Sequence, residues 1–247
     1  VPLVKSTLVT CSLLAFSLCL LTAVPVHAQD SKWNIEASIG WDIGLSGDFI
    51  AAGIGTINDV PVVIQTQSFG DVYGTGIQWQ IGAGYALDDK AEVRGDFTYQ
   101  RSGADAVLLG KAGTSDLFGT FDDYKVWSLE AGYRRYFDRH DKLRPYVGAT
   151  IGIADIPRIN GVFAATQASE VRVQTDLYDG TAAFIFSVNG GALYRLTERT
   201  DLKLQIGFRH TSGLAQIDQL VGTSLDNIND RSARWSMPIA FGVHVRF

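Results

Sequence analysis

The chain of 247 residues carries 21 lysines and arginines against 26 acidic residues, a net charge of −5. That length suits one sizeable domain or two small ones, and the negative balance argues against nucleic acid as a partner.

The first segment reads as an export signal. Lys5 supplies a positive start, Thr7 to Val24 are almost all apolar or small, and Val26-His27-Ala28 precedes a polar switch at Gln29-Asp30-Ser31-Lys32. This three-part layout predicts a cleaved signal over 1–28 and a domain over 29–247. A retained membrane helix is the competing reading of the apolar run, and the cleavage site argues against it. Both cysteines, Cys11 and Cys19, fall within the signal, and bulky Leu18 before Cys19 does not suit lipid attachment. The mature chain then has no cysteine, 20 basic and 26 acidic residues, and a net charge of −6. An exported domain without disulfides relies on packing and pairing alone.

Eight alternating segments follow. The first, about Trp33 to Leu45, sets Trp33, Ile35, Ala37, Ile39, Trp41, Ile43 and Leu45 against Asn34, Glu36, Ser38, Gly40, Asp42 and Gly44. Successive side chains of a strand point to opposite faces, so one face is apolar and the other small or polar. The second, Thr75 to Leu87, sets Ile77, Trp79, Ile81 and Tyr85 against Gln78, Gln80, Gly82 and Gly84. The third, Ala91 to Gln100, sets Val93, Phe97 and Tyr99 against Glu92, Arg94, Asp96, Thr98 and Gln100. The fourth, Tyr124 to Phe137, sets Trp127, Leu129, Tyr133 and Phe137 against Ser128, Glu130, Gly132 and Arg134. Arg135 breaks its apolar face near one end, where an interfacial charge is cheap. The fifth (Arg144 to Ile156), sixth (Thr181 to Leu196) and seventh (Asp201 to Thr211) repeat the pattern, with Arg195, Lys203 and Arg209 on the polar face. The last runs from Trp235 to Phe247, with His244 and Arg246 among its polar-face residues.

Connection lengths alternate as well. Asp88 to Lys90, Asp138 to Leu143 and Thr197 to Thr200 are short, whereas Ser46 to Gly74, Arg101 to Asp123, Pro157 to Gly180 and Ser212 to Arg231 are long. An even number of spanning-length strands with short periplasmic turns and long outer loops predicts an all-β fold, an eight-stranded antiparallel up-and-down transmembrane β-barrel. Closure pairs every backbone group within the hydrocarbon. Pro238 removes a ladder donor from the last strand, and predicts a bulge or a place above the membrane band. Val60 to Gln67 and Val171 to Leu177 are aliphatic enough to extend hairpins above the membrane.

The polar faces point into the barrel. They carry Glu36, Asp42, Glu92, Asp96 and Glu130 against Arg94, Arg134, Arg195, Lys203, Arg209 and Arg246. An eight-stranded barrel is just wide enough for side chains to fill, so these charges predict a paired, packed lumen, the alternative being a narrow ion path. Outward aromatics such as Trp33, Tyr85, Trp79, Trp127 and Trp235 fit interface girdles.

The pattern resembles the small outer-membrane β-barrel proteins of the OmpA/OmpX and opacity-like surface-antigen group, often labelled porin-like. Arg144-Pro145-Tyr146-Val147-Gly148-Ala149 looks like the fifth-strand motif of that group, and Phe247 is similar to its terminal assembly signal. The resemblance implies outer-membrane lipid, lipopolysaccharide and the barrel-assembly machinery as partners, an extracellular partner for the loops, no cofactor and no enzymatic activity. It leaves three roles open: a surface or structural barrel, which is expected; a small-solute porin; and a lipid-directed hydrolase. The last rests on Phe208-Arg209-His210-Thr211-Ser212, where His210 and Ser212 look like the His–Ser pair of outer-membrane lipid A deacylases. Gly213 departs from that pattern, the final strand has no lipid-facing Glu, and Asp226 and Asp230 are the substitutes at hand. A Ser nucleophile needs an adjacent base and an oriented acid. His140 and His244 lie apart without metal-ligand spacing. Asp226-Asn227-Ile228-Asn229-Asp230 lacks the ligands and glycine of a calcium loop, and is expected to be a polar surface loop.

Overall fold

The structure, a computed structural model, describes residues 32–137, 142–167, 171–217, 224–229 and 233–247. The expected signal over 1–28, His140 and Asp230 lie outside them.

In chain order, β1 (Trp33–Ser46) is followed by β2 (Asp48–Ile50), β3 (Gly53–Ile57), β4 (Val60–Ile64), β5 (Gln67–Ser68) and the short helix α1 (Phe69–Tyr73). Next come β6 (Thr75–Asp88), β7 (Ala91–Ser102), β8 (Val107–Ala112), β9 (Ser115–Phe121), β10 (Tyr124–Tyr136) and β11 (Leu143–Ile156). The remainder is β12 (Ile159–Ala165), β13 (Arg172–Asp179), β14 (Thr181–Arg195), β15 (Thr200–Thr211), β16 (Ala215–Gln216) and β17 (Arg234–Arg246).

The eight long strands close a barrel in the order β1-β17-β15-β14-β11-β10-β7-β6. Every neighbour is antiparallel, and the seam pairs β1 with β17 from Asn34 opposite Arg246 to Gly44 opposite Ser236. These are the eight strands expected from alternation, with ends shifted by a residue or two. Burial follows the same period: in β1 Asn34, Glu36, Ser38, Gly40 and Asp42 are buried, while their neighbours from Trp33 to Trp41 are exposed. Where strands pack this closely, glycine is needed at some inward positions. A Cβ on Gly40 would stand 1.9 Å from the Ile239 carbonyl oxygen.

Local chemistry sets the short turns. The Asp88 carboxylate accepts from Lys90 N–H at 2.6 Å, and Thr197 Oγ1 accepts from the N–H groups of Arg199 and Thr200 at 3.3 and 3.1 Å. Such side chains mimic the backbone partners that a turn leaves out.

Pro238 does not produce the expected bulge. It pairs with Asp42 on one side, and on the other the β15–β17 ladder omits the pairs at Gly207 and Phe208 and resumes in unchanged register at Arg209 opposite Ser236. The register shift nearby lies in the partner strand instead, between Gly44 and Ser46. A gap suffices because the missing donor affects one ladder only.

The long connections are not separate loops. All four contribute to one seven-stranded sheet, β16-β13-β12-β9-β8-β4-β3. That order repeats the barrel's own β15-β14-β11-β10-β7-β6-β1, so the hairpins continue the wall as a second tier. The expected hairpins are both present: Val60–Ile64 pairs with β3, and Arg172–Asp179 pairs with β12. The fourth connection returns to the far edge of this sheet, where Ser224 Oγ accepts from Thr56 N–H at 3.0 Å and the Ile228 carbonyl accepts from Ala51 N–H at 2.9 Å.

The second tier has an apolar centre. Phe49 lies fully buried among Phe69, Tyr73, Phe121 and Tyr178, with ring centroids 5.0–5.3 Å away. The Tyr178 hydroxyl donates to the Phe49 carbonyl. The same cluster reaches down to Val126, Ala154 and Ile185 at the inner ends of barrel strands. Helix α1 is fixed beside it by a reciprocal cap, in which Ser68 Oγ accepts from Asp71 N–H and Ser68 N–H donates to the Asp71 carboxylate. These bonds hold the Asp71 carboxyl below its ordinary range. The described part of that segment, 226–229, is not the polar surface loop expected from its letters. Leu225 and Ile228 are buried in the tier's core, and Asn229 donates to the Leu177 carbonyl at 2.9 Å.

Candidate functional site

The lumen is the place where chemistry is concentrated. Strand parity turns Glu36, the fourth residue of β1, into the lumen, where it is fully buried. It faces three cations: Arg94 of β7 at 2.9 Å, Arg134 of β10 at 2.9 Å, and Lys203 of β15 in direct contact. Arg94 also bonds Asp96 at 2.5 Å, and the Arg134 guanidinium lies 4.2 Å from the centre of the Tyr146 ring. In a low-dielectric interior such charges persist only when paired and hydrogen-bonded.

Below this hub, toward the short turns, Glu92 accepts from Asn34 at 3.0 Å and from the Tyr136 hydroxyl at 2.8 Å. Asp201 lies 3.2 Å from His244 Nδ1 and 3.1 Å from Arg246. Above the hub, Glu130 accepts from Ser128 at 2.9 Å, from Thr150 at 2.6 Å and from Arg209 at 3.4 Å. Highest of all, Asp42 accepts from Gln100 at 2.6 Å and pairs with Arg234 at 2.8 Å. Arg234 in turn lies over the rings of Tyr124 and Phe69, at 5.0 and 5.9 Å, so it joins the polar lumen to the apolar tier.

The structure thus brings together Glu36, Asp42, Glu92, Arg94, Asp96, Glu130, Arg134, Lys203, Arg209 and Arg246 in successive pairs. Arg195 stands apart: it is opposite Asp201 in register, but its Nε has no hydrogen-bond partner and no ion pair reaches it among the described residues. It sits at the short-turn end of β14, half exposed. The expected lumen charges did not include Asp201, His244, Tyr136 and Arg234. Parity already placed His244 inside, Asp201 opens the expected seventh strand on the same face as Lys203, and the count carried one residue beyond Trp235 puts Arg234 there as well.

A polar cavity of about 20 Å³ lies among Arg94, Arg134, Arg209, Asp96 and Glu130, room for about one water. No His, Cys, Asp or Glu group among the described residues is arranged to hold a metal.

His210 and Ser212 are not joined. The His210 ring packs edge-on against Trp235, 4.7 Å between centroids. Ser212 Oγ accepts from Phe184 N–H at 2.9 Å, while Ser212 N–H donates to the Phe184 carbonyl. The hydroxyl therefore completes a strand end, with no base bonded to it among the described residues. Ser212→Ala is expected to leave lipid A acylation unchanged by mass spectrometry and to cost about 1 kcal/mol of stability. Loss of a deacylated lipid A product in that variant would contradict the assignment.

On the outer face, aromatic rings gather at both ends of the strands. Trp33 and Tyr85 meet at 5.1 Å near the short turns. Trp127 meets Tyr99 at 4.1 Å and Phe97 at 5.5 Å near the long connections. Between them the exposed side chains are almost all aliphatic or aromatic, the surface a bilayer requires.

The sequence matches the family model of the outer membrane protein beta-barrel domain over residues 14–247. No curated protein matches it. Among solved structures, it is similar to Neisserial surface protein A at 16% identity, covering 88% of this chain and 98% of that one, with a TM-score of 0.44. It is also similar to Ail, the attachment invasion locus protein of Yersinia pestis, at 12% identity, with 87% and 99% covered and a TM-score of 0.36. The outer membrane protease OmpT of Escherichia coli aligns at 9% identity, with 92% and 100% covered and a TM-score of 0.47. With a closed eight-stranded barrel, an apolar belt and a family match across nearly its whole length, the chain belongs to the outer membrane protein beta-barrel domain family and resides in the outer membrane.

Proposed function

We propose that this protein is a non-enzymatic surface barrel: the long-connection tier faces outward as a rigid display surface, and the interior is sealed. One observation carries this reading. The interior is filled at two successive levels, first by paired charges in the barrel and then by the Phe49 aromatic cluster above it. A solute would have to break both. The lumen charge network is read as a structural core, and Phe247, which continues the apolar alternation of the sequence, as the assembly signal. A loop-bound partner would meet a surface of paired strands with little freedom to rearrange, so ordering it on binding would cost little entropy.

The display reading is tested by epitope tags on intact cells. Tags inserted at the hairpin tips Asn58-Asp59 and Gly113-Thr114 should be labelled, and a tag at Asp88-Asp89 should not. Labelling at Asp88-Asp89 alone would invert the orientation and sink the proposal.

A further inference from the structure

Charge is divided unevenly between the two ends of this barrel. Among the described residues, the four long connections (46–74, 101–123, 157–180 and 212–231) hold 10 acids against 4 bases, a balance of −6. The opposite end (32, 88–90, 135–144 and 195–199), likewise among the described residues, holds 7 bases against 3 acids, a balance of +4. A chain of net negative charge has thus concentrated cations at its short-turn rim.

These cations stand where a bilayer's headgroups would lie. Lys32 is exposed and sits 5.9 Å over the Tyr85 ring, beside the exposed Trp33. Arg135 is exposed on the lipid-facing side of β10, between Tyr133 and Phe137. Arg144 stacks 3.8 Å from the centre of the Tyr136 ring and donates to the Asp89 carbonyl. Lys142 and Arg199 are exposed, and no ion pair joins Lys32, Arg135, Lys142 or Arg199 to a carboxylate among the described residues. Interfacial tryptophan and tyrosine mark headgroup depth, so Lys32, Arg135, Lys142 and Arg199, without a carboxylate partner among the described residues, stand at the level of lipid phosphates.

We infer that the short-turn rim binds the anionic headgroups of phospholipids in the inner leaflet of the outer membrane. The leaflet assignment rests on the orientation proposed above; the preference for anionic lipid does not. Each cation near an anionic surface favours association by roughly fivefold, and salt screens the attraction within a Debye length. The acidic far end has the opposite preference, which makes the two ends of the barrel discriminate between leaflets.

The test uses Trp33 as the reporter. Protein purified from the outer membrane, with Trp41, Trp79, Trp127 and Trp235 replaced by Phe, is reconstituted in phosphatidylcholine vesicles. Brominated phosphatidylglycerol or brominated phosphatidylcholine is then added, and quenching gives the relative affinity at the rim. Phosphatidylglycerol should be preferred by about fivefold or more, the preference should shrink with added salt, and Lys32→Gln with Arg135→Gln should bring it close to unity. Lys111→Gln with Lys125→Gln, at the other end, should leave it unchanged. A ratio of one in the parent, or a preference unaffected by the rim substitutions, would overturn the inference. Failure to retain phosphatidylglycerol over phosphatidylcholine in native mass spectrometry of the unmodified protein would do the same, should the single-tryptophan variant not assemble. Loss of binding to purified peptidoglycan in the rim variant, with no lipid preference, would assign the rim to the cell wall instead. Both ends of the protein see the same lipids in these vesicles, so an inverted orientation in cells would not alter this result.

Discussion

Glu36→Ala is expected to lower the barrel's unfolding free energy by about 3–5 kcal/mol, read as the urea midpoint of the heat-modifiable band in detergent or bilayer. The cause is the hub geometry. Glu36 is the shared partner of Arg94, Arg134 and Lys203, so its removal leaves three buried cations facing one another. Of these, Arg94 keeps Asp96 and Glu92, and Arg134 keeps the more distant Glu92 at 3.7 Å. Among the described residues, Lys203 keeps only Gln80, at 3.4 Å. Glu36→Gln should be nearly as costly, because the amide keeps the shape but neither the charge nor the acceptor capacity. The exposed pair of Lys111 and Asp116 supplies the contrast, its side chains being 60% and 44% exposed. Breaking it with Asp116→Ala should cost about 0–1 kcal/mol, since water and salt already screen it. Equal, small losses in both variants would show that the lumen charges are solvated and not packed.

Phe49→Ala carries the second large effect, about 3–5 kcal/mol from lost burial and the cavity left behind. Its consequence should be local. Four rings converge on Phe49, from α1, β9 and β13, and all of them belong to the long connections. The barrel strands have their own ladder and their own polar core, so the tier should loosen first. Proteolysis of the long connections and hydrogen exchange in β4, β9 and β13 should rise sharply, while amides of β1, β10 and β17 stay protected. A uniform loss of protection through barrel and tier alike would mean that the two levels form one cooperative unit.

The two variants probe the parts of the molecule that differ most in how far the sequence reveals them. The barrel was legible because a spanning strand separates lipid from lumen at every second residue. Trp33, Ile35 and Ile39 against Asn34, Glu36 and Ser38 is a pattern that survives without any knowledge of partners. The charged lumen residues came with it, since parity alone assigns them a side. The second tier was not legible as a unit. In β4, Val62 and Ile64 are buried while Val63 is exposed, so both faces are apolar and the alternation disappears. Pairing between β9 and β12 joins residues from different connections, and nothing local in either sequence announces it. Leu225 and Ile228 were hidden for the opposite reason, as apolar anchors set among Asp and Asn. Arg234 lies one residue before the point where the apolar alternation of the last strand begins, and strand ends are the least certain part of any such reading.

Single-channel recording in planar bilayers tests the sealed interior most directly. On the proposed reading, the protein purified from the outer membrane should show no steady conductance above the bare bilayer, since the lumen charges are paired and the Phe49 cluster stands above them. A large, stable, ohmic conductance in the parent protein would contradict the account and make this chain a pore.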